Sequence, residues 1–329
     1  MKTWKKVLII ILILCGISGY IGYDAFKAAP KRYTARYVTL SSAKISPQLN
    51  GMNVLFFSDL DYGTYMDEDR LNSLIDRINE QAPDVVLFGG DLYDDAAKAS
   101  DASNKIIARA FRRIKADYGK FAVYGDVDDE SEEMKKAVST IYSDSDFEVV
   151  NNTSVFIHKG AAPSFTLVGL DNGLNGNQDI STAYANVSKN NYVITLCHTP
   201  DSADKVPGDL TDYFLAGHSH GGQAYWFFGA LYTPAMATEY LRGKHSIAND
   251  FTLDITNGVG TTEKDVRFLT NAEVVVYQLK SSKAQSTPKS TSSGSKAKAK
   301  STATPSPSAS PSAEASASPD ATADSSQSE

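Results

Sequence analysis

Short apolar runs that end in an aspartate or a histidine recur along this chain, and they constrain its fold more than any other feature. Val54-Leu-Phe-Phe-Ser58 leads into Asp59-Leu60-Asp61. Val85-Val-Leu-Phe-Gly-Gly90 leads into Asp91, and Phe121-Ala-Val-Tyr-Gly125 into Asp126-Val127-Asp128. Tyr192-Val-Ile-Thr-Leu-Cys197 leads into His198, and Phe214-Leu-Ala-Gly217 into His218-Ser219-His220-Gly-Gly-Gln223. Each run has the length and the β-branched or aromatic content of a buried strand. Each delivers its carboxylate or imidazole at the carboxyl end, where open α/β sheets place their ligands.

The segments between these runs have helical periodicity in the first half of the chain. Asp67 is placed to cap a helix with Leu71, Leu74, Ile75 and Ile78 on one face, closing before Pro83. Asp101 is placed to start a second, with Ile106, Ile107, Ala110, Phe111 and Ile114 inward, and a third is expected from about Glu130 to Tyr142. From residue 147 strands dominate, with runs expected at 147–150, 155–157, 165–168, 192–196, 213–216, 224–228, 251–255 and 274–279. The fold class expected is α/β.

Seven side chains are candidate metal ligands: Asp59, Asp61, Asp91, Asp126, His198, His218 and His220. Residues two apart in an extended segment point the same way, which suits both His-x-His and Asp-x-Asp. Neutral imidazole is the commonest protein ligand for a transition metal. Only five histidines occur in the chain, and His158 and His245 match no such pattern. Seven ligands suit two ions sharing one carboxylate, and a two-metal clamp serves in-line phosphoryl displacement.

Charge divides the chain into three. Residues 1–33 carry a net +5 and residues 281–329 a net +1, so residues 34–280 carry −13 within a total of −7. An acidic domain without a basic stripe argues against nucleic acid as a partner, and bound divalent cations would offset part of its charge. The two cysteines, Cys15 and Cys197, fall in different parts and give no disulfide framework.

Val7–Tyr23 is uncharged and long enough for a membrane-spanning helix. Lys2, Lys5 and Lys6 precede it, and Trp4, Tyr20 and Tyr23 flank it as interfacial aromatics do. No small-x-small cleavage site follows, and Leu14 before Cys15 argues against a lipoprotein. We therefore expect an uncleaved single-pass anchor in residues 1–33, a folded domain in 34–280, and a disordered Ser/Ala/Pro/Lys-rich tail in 281–329. Domain and tail are expected on the extracytoplasmic side of the cell membrane. Trp226, Phe227, Phe228 and Tyr232 are expected to pack in the core, with a substrate groove or a lipid surface as the alternatives.

Taken in order, these motifs resemble the calcineurin-like metallophosphoesterases, in particular their membrane-anchored bacterial phosphodiesterases, over roughly residues 50–280. The family pattern is Asp-x-His, Gly-Asp, Gly-Asn-His-Asp/Glu, a lone His and Gly-His-x-His. This chain has Asp59-Leu-Asp61, Gly90-Asp91, Gly125-Asp126-Val127-Asp128, His198-Thr-Pro200 and Gly217-His218-Ser-His220, followed by Gly221-Gly222-Gln223 and the late Asn257-Gly258-Val-Gly260-Thr. The resemblance implies a two-sheet β-sandwich flanked by helices with the site at one end. It also implies Asp59 and His220 on a first metal, Asp91 bridging, and His198 and His218 on a second.

Three positions depart from that pattern. Asp61 replaces a metal-binding His, Asp126 a metal-binding Asn, and Val127 the His credited with protonating the leaving group or orienting the phosphate. The two aspartates still offer ligands, harder and more negative ones, which favours Mn, with Mg, Fe, Ca or Zn as alternatives. Val127 has no proton to give, and Asp128 is expected to point elsewhere. The resulting expectation is a membrane-tethered hydrolase of phosphate esters, phosphodiesters before monoesters, with an altered general-acid step. The alternative is a metal-binding or scaffold protein of the envelope without catalysis. The substrate and the oligomeric state are not read from the residues.

Overall fold

The computed structural model describes residues 3–160, 163–248 and 250–283, so all but the first residues of the Ser/Pro tail lie outside it. Helix α1 (Thr3–Tyr23) is followed by strands β1 (Thr34–Ser42) and β2 (Asn53–Phe57), helix α2 (Glu68–Asn79), β3 (Val85–Phe88), α3 (Asp101–Arg112), β4 (Lys120–Ala122), α4 (Glu132–Asp144) and β5 (Phe147–Val149). The second half holds β6 (Thr153–Ile157), β7 (Phe165–Gly169), α5 (Ile180–Tyr184), β8 (Val193–Leu196), β9 (Tyr213–Ala216), β10 (Tyr225–Trp226), β11 (Gly229–Ala230), β12 (Gly243–Ile247), β13 (Phe251–Ile255) and β14 (Glu273–Ser281).

Two six-stranded sheets form, one in the order β1-β14-β2-β3-β4-β5 and the other β12-β13-β9-β8-β7-β6. In the first, β2 to β5 run parallel and β14 runs antiparallel to β2. In the second, β7, β8, β9 and β13 run parallel. The alternation of side chains explains the layering. Val54 and Phe56 of β2 face the second sheet and meet Leu167, Ile194 and Leu215. Leu55 and Phe57 face the other way, onto Leu71, Leu74, Ile75 and Ile78 of α2 and Phe111 of α3. Phe111 is fully buried, its ring 5.8 Å from Phe57, 5.4 Å from Phe88 and 5.3 Å from Phe147. Such dense aromatic contact is what turns helical periodicity into a fixed layer.

Helix starts follow local chemistry. Asp67 caps α2 by accepting from Arg70 N at 2.9 Å. Helix α3 starts at Asp101 as expected, where the charge suits the dipole, and Ser100 caps it in a reciprocal box with Ser103. Ser131 caps α4 two residues later than a start at Glu130 would have it. Two strands carried no usable sequence signal, β1 and β12, and both lie at sheet edges, where one flank is polar and apolar content is low. The run expected at 224–228 is instead a tight hairpin of two two-residue strands. Its tip overturns the expectation of core packing: Phe227 is 92% exposed, Phe228 96% and Trp226 50%. Tyr232 is half-buried.

Helix α1 is long and apolar enough to cross a membrane, and its aliphatic side chains are exposed along its length. Beyond Tyr23 the chain makes one π-helical turn and one 3-10 turn, and there it docks on the domain. Ala25, Ala29 and Pro30 are buried, and Arg267 N donates to Ala25 O at 2.9 Å. The exit of the helix therefore has a fixed seat.

A buried carboxylate joins the two sheets. Asp254 of β13 accepts from Tyr213 and Tyr277 hydroxyls, each at 3.0 Å, and from the Arg36 guanidinium of β1 at 3.1 Å. Asp254→Ala leaves the two tyrosine hydroxyls without their acceptor and Arg36 with Glu273 as its remaining partner. We expect a loss of about 3 kcal/mol, the low end for breaking a buried pair because Arg36 keeps 30% exposure. Urea unfolding of the variant, with an unchanged m-value, checks this.

Candidate metal centre

The parallel strands of both sheets end at one edge of the sandwich, and the loops that follow them meet there. Backbone hydrogen bonds lace them together: Leu60 N donates to Asp91 O at 2.8 Å, Asp59 N to Gly90 O at 3.0 Å, Gly217 N to His198 O at 3.0 Å and Gly260 N to Asp59 O at 2.7 Å. The loops turn abruptly. Asp59, Asp61, Asp91, His218 and His220 all have positive φ, between 50° and 66°. Few non-glycine residues adopt this region, and such strain concentrates at functional sites. Glycine is required where loops touch: a Cβ on Gly125 would lie 2.6 Å from Asp91 Cγ, and one on Gly260 2.6 Å from Asp61 Oδ2.

Asp91, Asp126, His198 and His218 form a compact donor group, with one ligand atom from each within 4.8 Å of all the others. Asp126 Oδ1 lies 3.0 Å from His198 Nε2 and 2.9 Å from His218 Nδ1. His198 Nε2 lies 3.2 Å from Asp91 Oδ2 and 3.1 Å from His218 Nδ1. The far nitrogens fix the tautomers: His198 Nδ1 donates to Gly89 O at 2.8 Å and His218 Nε2 to Ala235 O at 2.7 Å. Each ring thus turns its other nitrogen to the centre, where it donates to Asp126 while protonated and becomes a lone-pair ligand when a cation takes the proton's place.

Asp59, Asp61 and His220 lie beside this group. Asp59 Oδ1 accepts from His218 N at 2.8 Å. Asp59 Oδ2, Asp61 Oδ2 and His220 Nδ1 are buried without a hydrogen-bond partner, and Asp61 Oδ2 is 3.6 Å from His220 Nε2. Buried orphan oxygens of this kind are costly unless a cation meets them. The donor set of carboxylates and imidazoles is the one divalent ions take, so these residues fit a metal.

The electrostatics show how the crowded charges compensate one another. Burial, then Asp59 and Asp91, push Asp61 well above the usual carboxylate range. Burial pulls His220 down to about 4, which leaves it neutral and its lone pair available. Burial opposes charge on Asp126, yet the hydrogen bonds from His198 and His218 hold it below its ordinary value. Burial also opposes charge on His198, and Asp91 and Asp126 overcome it and raise that imidazole.

Sequence reasoning missed Arg267. It is fully buried beneath the site and donates to the carbonyls of His220 at 3.2 Å, Asn257 at 2.6 Å and Gly258 at 3.3 Å, and also to that of Gly260. Burial lowers it to about 10, so it remains a cation near Asp61 and Asp59. No local pattern marks it. Residues 126–129 form a turn rather than extended chain. Asp128 therefore points under the loops, where it accepts from Asp91 N, Leu92 N and Gly125 N, each at 2.9 Å. Burial and then Asp91 raise it to about 7. Val127 is partly buried against the helical layer. His158 is exposed, and the His245 ring lies tilted against Tyr240, 5.1 Å away.

A family model for calcineurin-like phosphoesterases matches residues 52–222. The uncharacterized metallophosphoesterase YkuE of Bacillus subtilis is 26% identical over 82% of this chain and 96% of its own length. An uncharacterized metallophosphoesterase of Campylobacter jejuni is 25% identical over 86% of this chain and 73% of its own. A zebrafish (Danio rerio) transmembrane protein with metallophosphoesterase domain is 22% identical over 74% of this chain and 57% of its own.

A ligand that binds only the folded state stabilises it, by about 2.7 kcal/mol at a hundredfold excess over Kd. Manganese should therefore raise the thermal midpoint of the full chain. Asp91→Ala should abolish most of that rise and most of the bound metal, as read by calorimetry and elemental analysis.

Proposed function

Because this chain belongs to the calcineurin-like phosphoesterase family, whose members hydrolyse phosphoric esters, we propose that it is a membrane-tethered phosphodiesterase with a dinuclear metal site. The observation that carries the reading is the convergence of Asp91, Asp126, His198 and His218 from strands of both sheets, with Asp59, Asp61 and His220 beside them. In this reading Asp59, Asp61 and His220 would hold one ion, Asp126, His198 and His218 the other, and Asp91 would serve both. The carboxylate-rich set favours Mn over softer ions. Two divalent ions, when bound, supply the Lewis acidity that holds the oxygens of an in-line displacement.

The chain's own residues do the rest. Gly89 and Ala235 carbonyls keep the two imidazoles in the metal-binding tautomer. Asp128 and Arg267 hold four loops at fixed separation, so that little reorganisation accompanies binding. Val127 N donates to Asp91 Oδ1 at 3.1 Å, but its isopropyl side chain moves no proton. Tethering rests on the uncharged span Val7–Tyr23, and we place the domain outside the membrane because Lys2, Lys5 and Lys6 precede that span.

Hydrolysis of an activated aryl phosphodiester by the full chain, with metal content measured in parallel, tests the reading. If both ions bind and even that ester survives, the chain is a metal-binding protein of the envelope instead.

Two outcomes are expected beyond activity itself. A leaving group that departs unprotonated must be a weak base, and each ~1.4 kcal/mol of unmet stabilisation costs tenfold in rate. The rate should therefore fall steeply as leaving-group pKa rises, and Val127→His, paired with Asp126→Asn, should help alkyl esters more than aryl ones. A flat dependence in the wild type would assign the proton to another group. For the topology, protease added to intact cells should trim the Ser/Pro tail. Full-length protein in the soluble cytosolic fraction would contradict the anchor.

A further inference from the structure

Among the described residues of the folded domain, the hairpin tip Trp226-Phe227-Phe228 is the most exposed aromatic surface, and it stands beside the exit of α1. Ile21, Gly22, Ala25 and Phe26 of the exit share an apolar cleft of about 530 Å³ with Trp226 and Phe228. Phe26 and Leu231 are each 55% exposed on the same side. The exit is docked beside the hairpin: Arg267 N donates to Ala25 O, and Ala25, Ala29 and Pro30 are buried. If α1 spans a bilayer, its exit lies at the interface, and the hairpin tip is held at the same level.

The chemistry of the patch suits that level. Residues 226–232 are uncharged, and three of the first three are aromatic. Tryptophan and other aromatics gather at the headgroup boundary, where an apolar body and a polar edge are both satisfied. Cations ring the patch: Lys264 lines the cleft, Lys27 is exposed on the exit turn, and Arg242 lies 4.5 Å over the Tyr225 ring. Such charges favour anionic lipid. The base of the hairpin adjoins the candidate metal centre. Ala224 N donates to Gly222 O, Tyr225 N to Phe268 O at 2.8 Å, and the Tyr232 ring packs edge-on against His220 at 5.7 Å.

We propose that the Trp226–Phe228 tip is a second, lipid-contacting element that enters the interfacial layer of the bilayer beside α1 and turns the metal centre toward headgroup-level phosphate esters. This rests on the reading of α1 as a membrane anchor. The occupant of the cleft is the acyl region of the adjacent leaflet.

The chain has two tryptophans, so each element can be read alone. Trp4→Phe leaves Trp226 as the sole indole, and Trp226→Phe leaves Trp4. The full chain is reconstituted in phosphatidylcholine–phosphatidylglycerol vesicles with bromine either high on the acyl chain or near the bilayer centre. Trp226 should lose most of its emission to the shallow bromine, less to the deep one, and resist aqueous acrylamide. Phe227→Asp with Phe228→Asp, in the Trp4→Phe background, should restore acrylamide access while hydrolysis of a soluble aryl ester is unchanged. If Trp4 is quenched by lipid and Trp226 is not, the hairpin proposal falls and the anchor stands. If neither is quenched, the anchor reading fails and takes the proposal with it.

Discussion

Carboxylate crowding at one edge of the sandwich is the constraint on which the rest of the structure depends. Asp59, Asp61 and Asp91 are buried and Asp126 is nearly so. Charges taken out of water are stable only where partners compensate them. The protein answers with three kinds of partner. Imidazoles of His198 and His218 face Asp126, the guanidinium of Arg267 sits below Asp59 and Asp61, and backbone N–H groups take the remaining oxygens they can reach. What they leave over, the second oxygens of Asp59 and Asp61, asks for a cation.

The same crowding explains why the loops are strained. Short parallel strands deliver side chains outward from the sheet edge, whereas a metal centre needs them to converge. Left-handed backbone at Asp59, Asp61, Asp91, His218 and His220 achieves the convergence within one residue of turn. Glycines at the contact points let neighbouring loops close on those residues. Asp128 and Arg267 then bind the loops from beneath through their backbones, so the strain is held by hydrogen bonds that do not compete with the ligand atoms.

Much of the fold was legible in the sequence, because a buried parallel strand writes itself as an unbroken apolar run and its candidate ligand follows at once. The strands before Asp59, Asp91, Asp126, His198 and His218 are of that kind, and α2 and α3 show their inward faces by spacing alone. Edge strands β1 and β12 did not announce themselves, since pairing, not burial, defines them. Arg267 was invisible because its role is set by loops that meet only in three dimensions. The hairpin was misread for a related reason. Aromatic content reports that a surface avoids water and says nothing about whether protein or lipid covers it.

Strands β1 and β14 lie parallel over nine residues, in unbroken register from Thr34 with Glu273 to Ser42 with Ser281. The link from α1 enters at the first of these residues and the chain leaves β14 at the last. A pull between the two ends therefore runs along the ladder and loads all of its hydrogen bonds in shear together, rather than peeling them one at a time. Whatever stretches this chain between its ends meets the sheet in its mechanically stiffest direction.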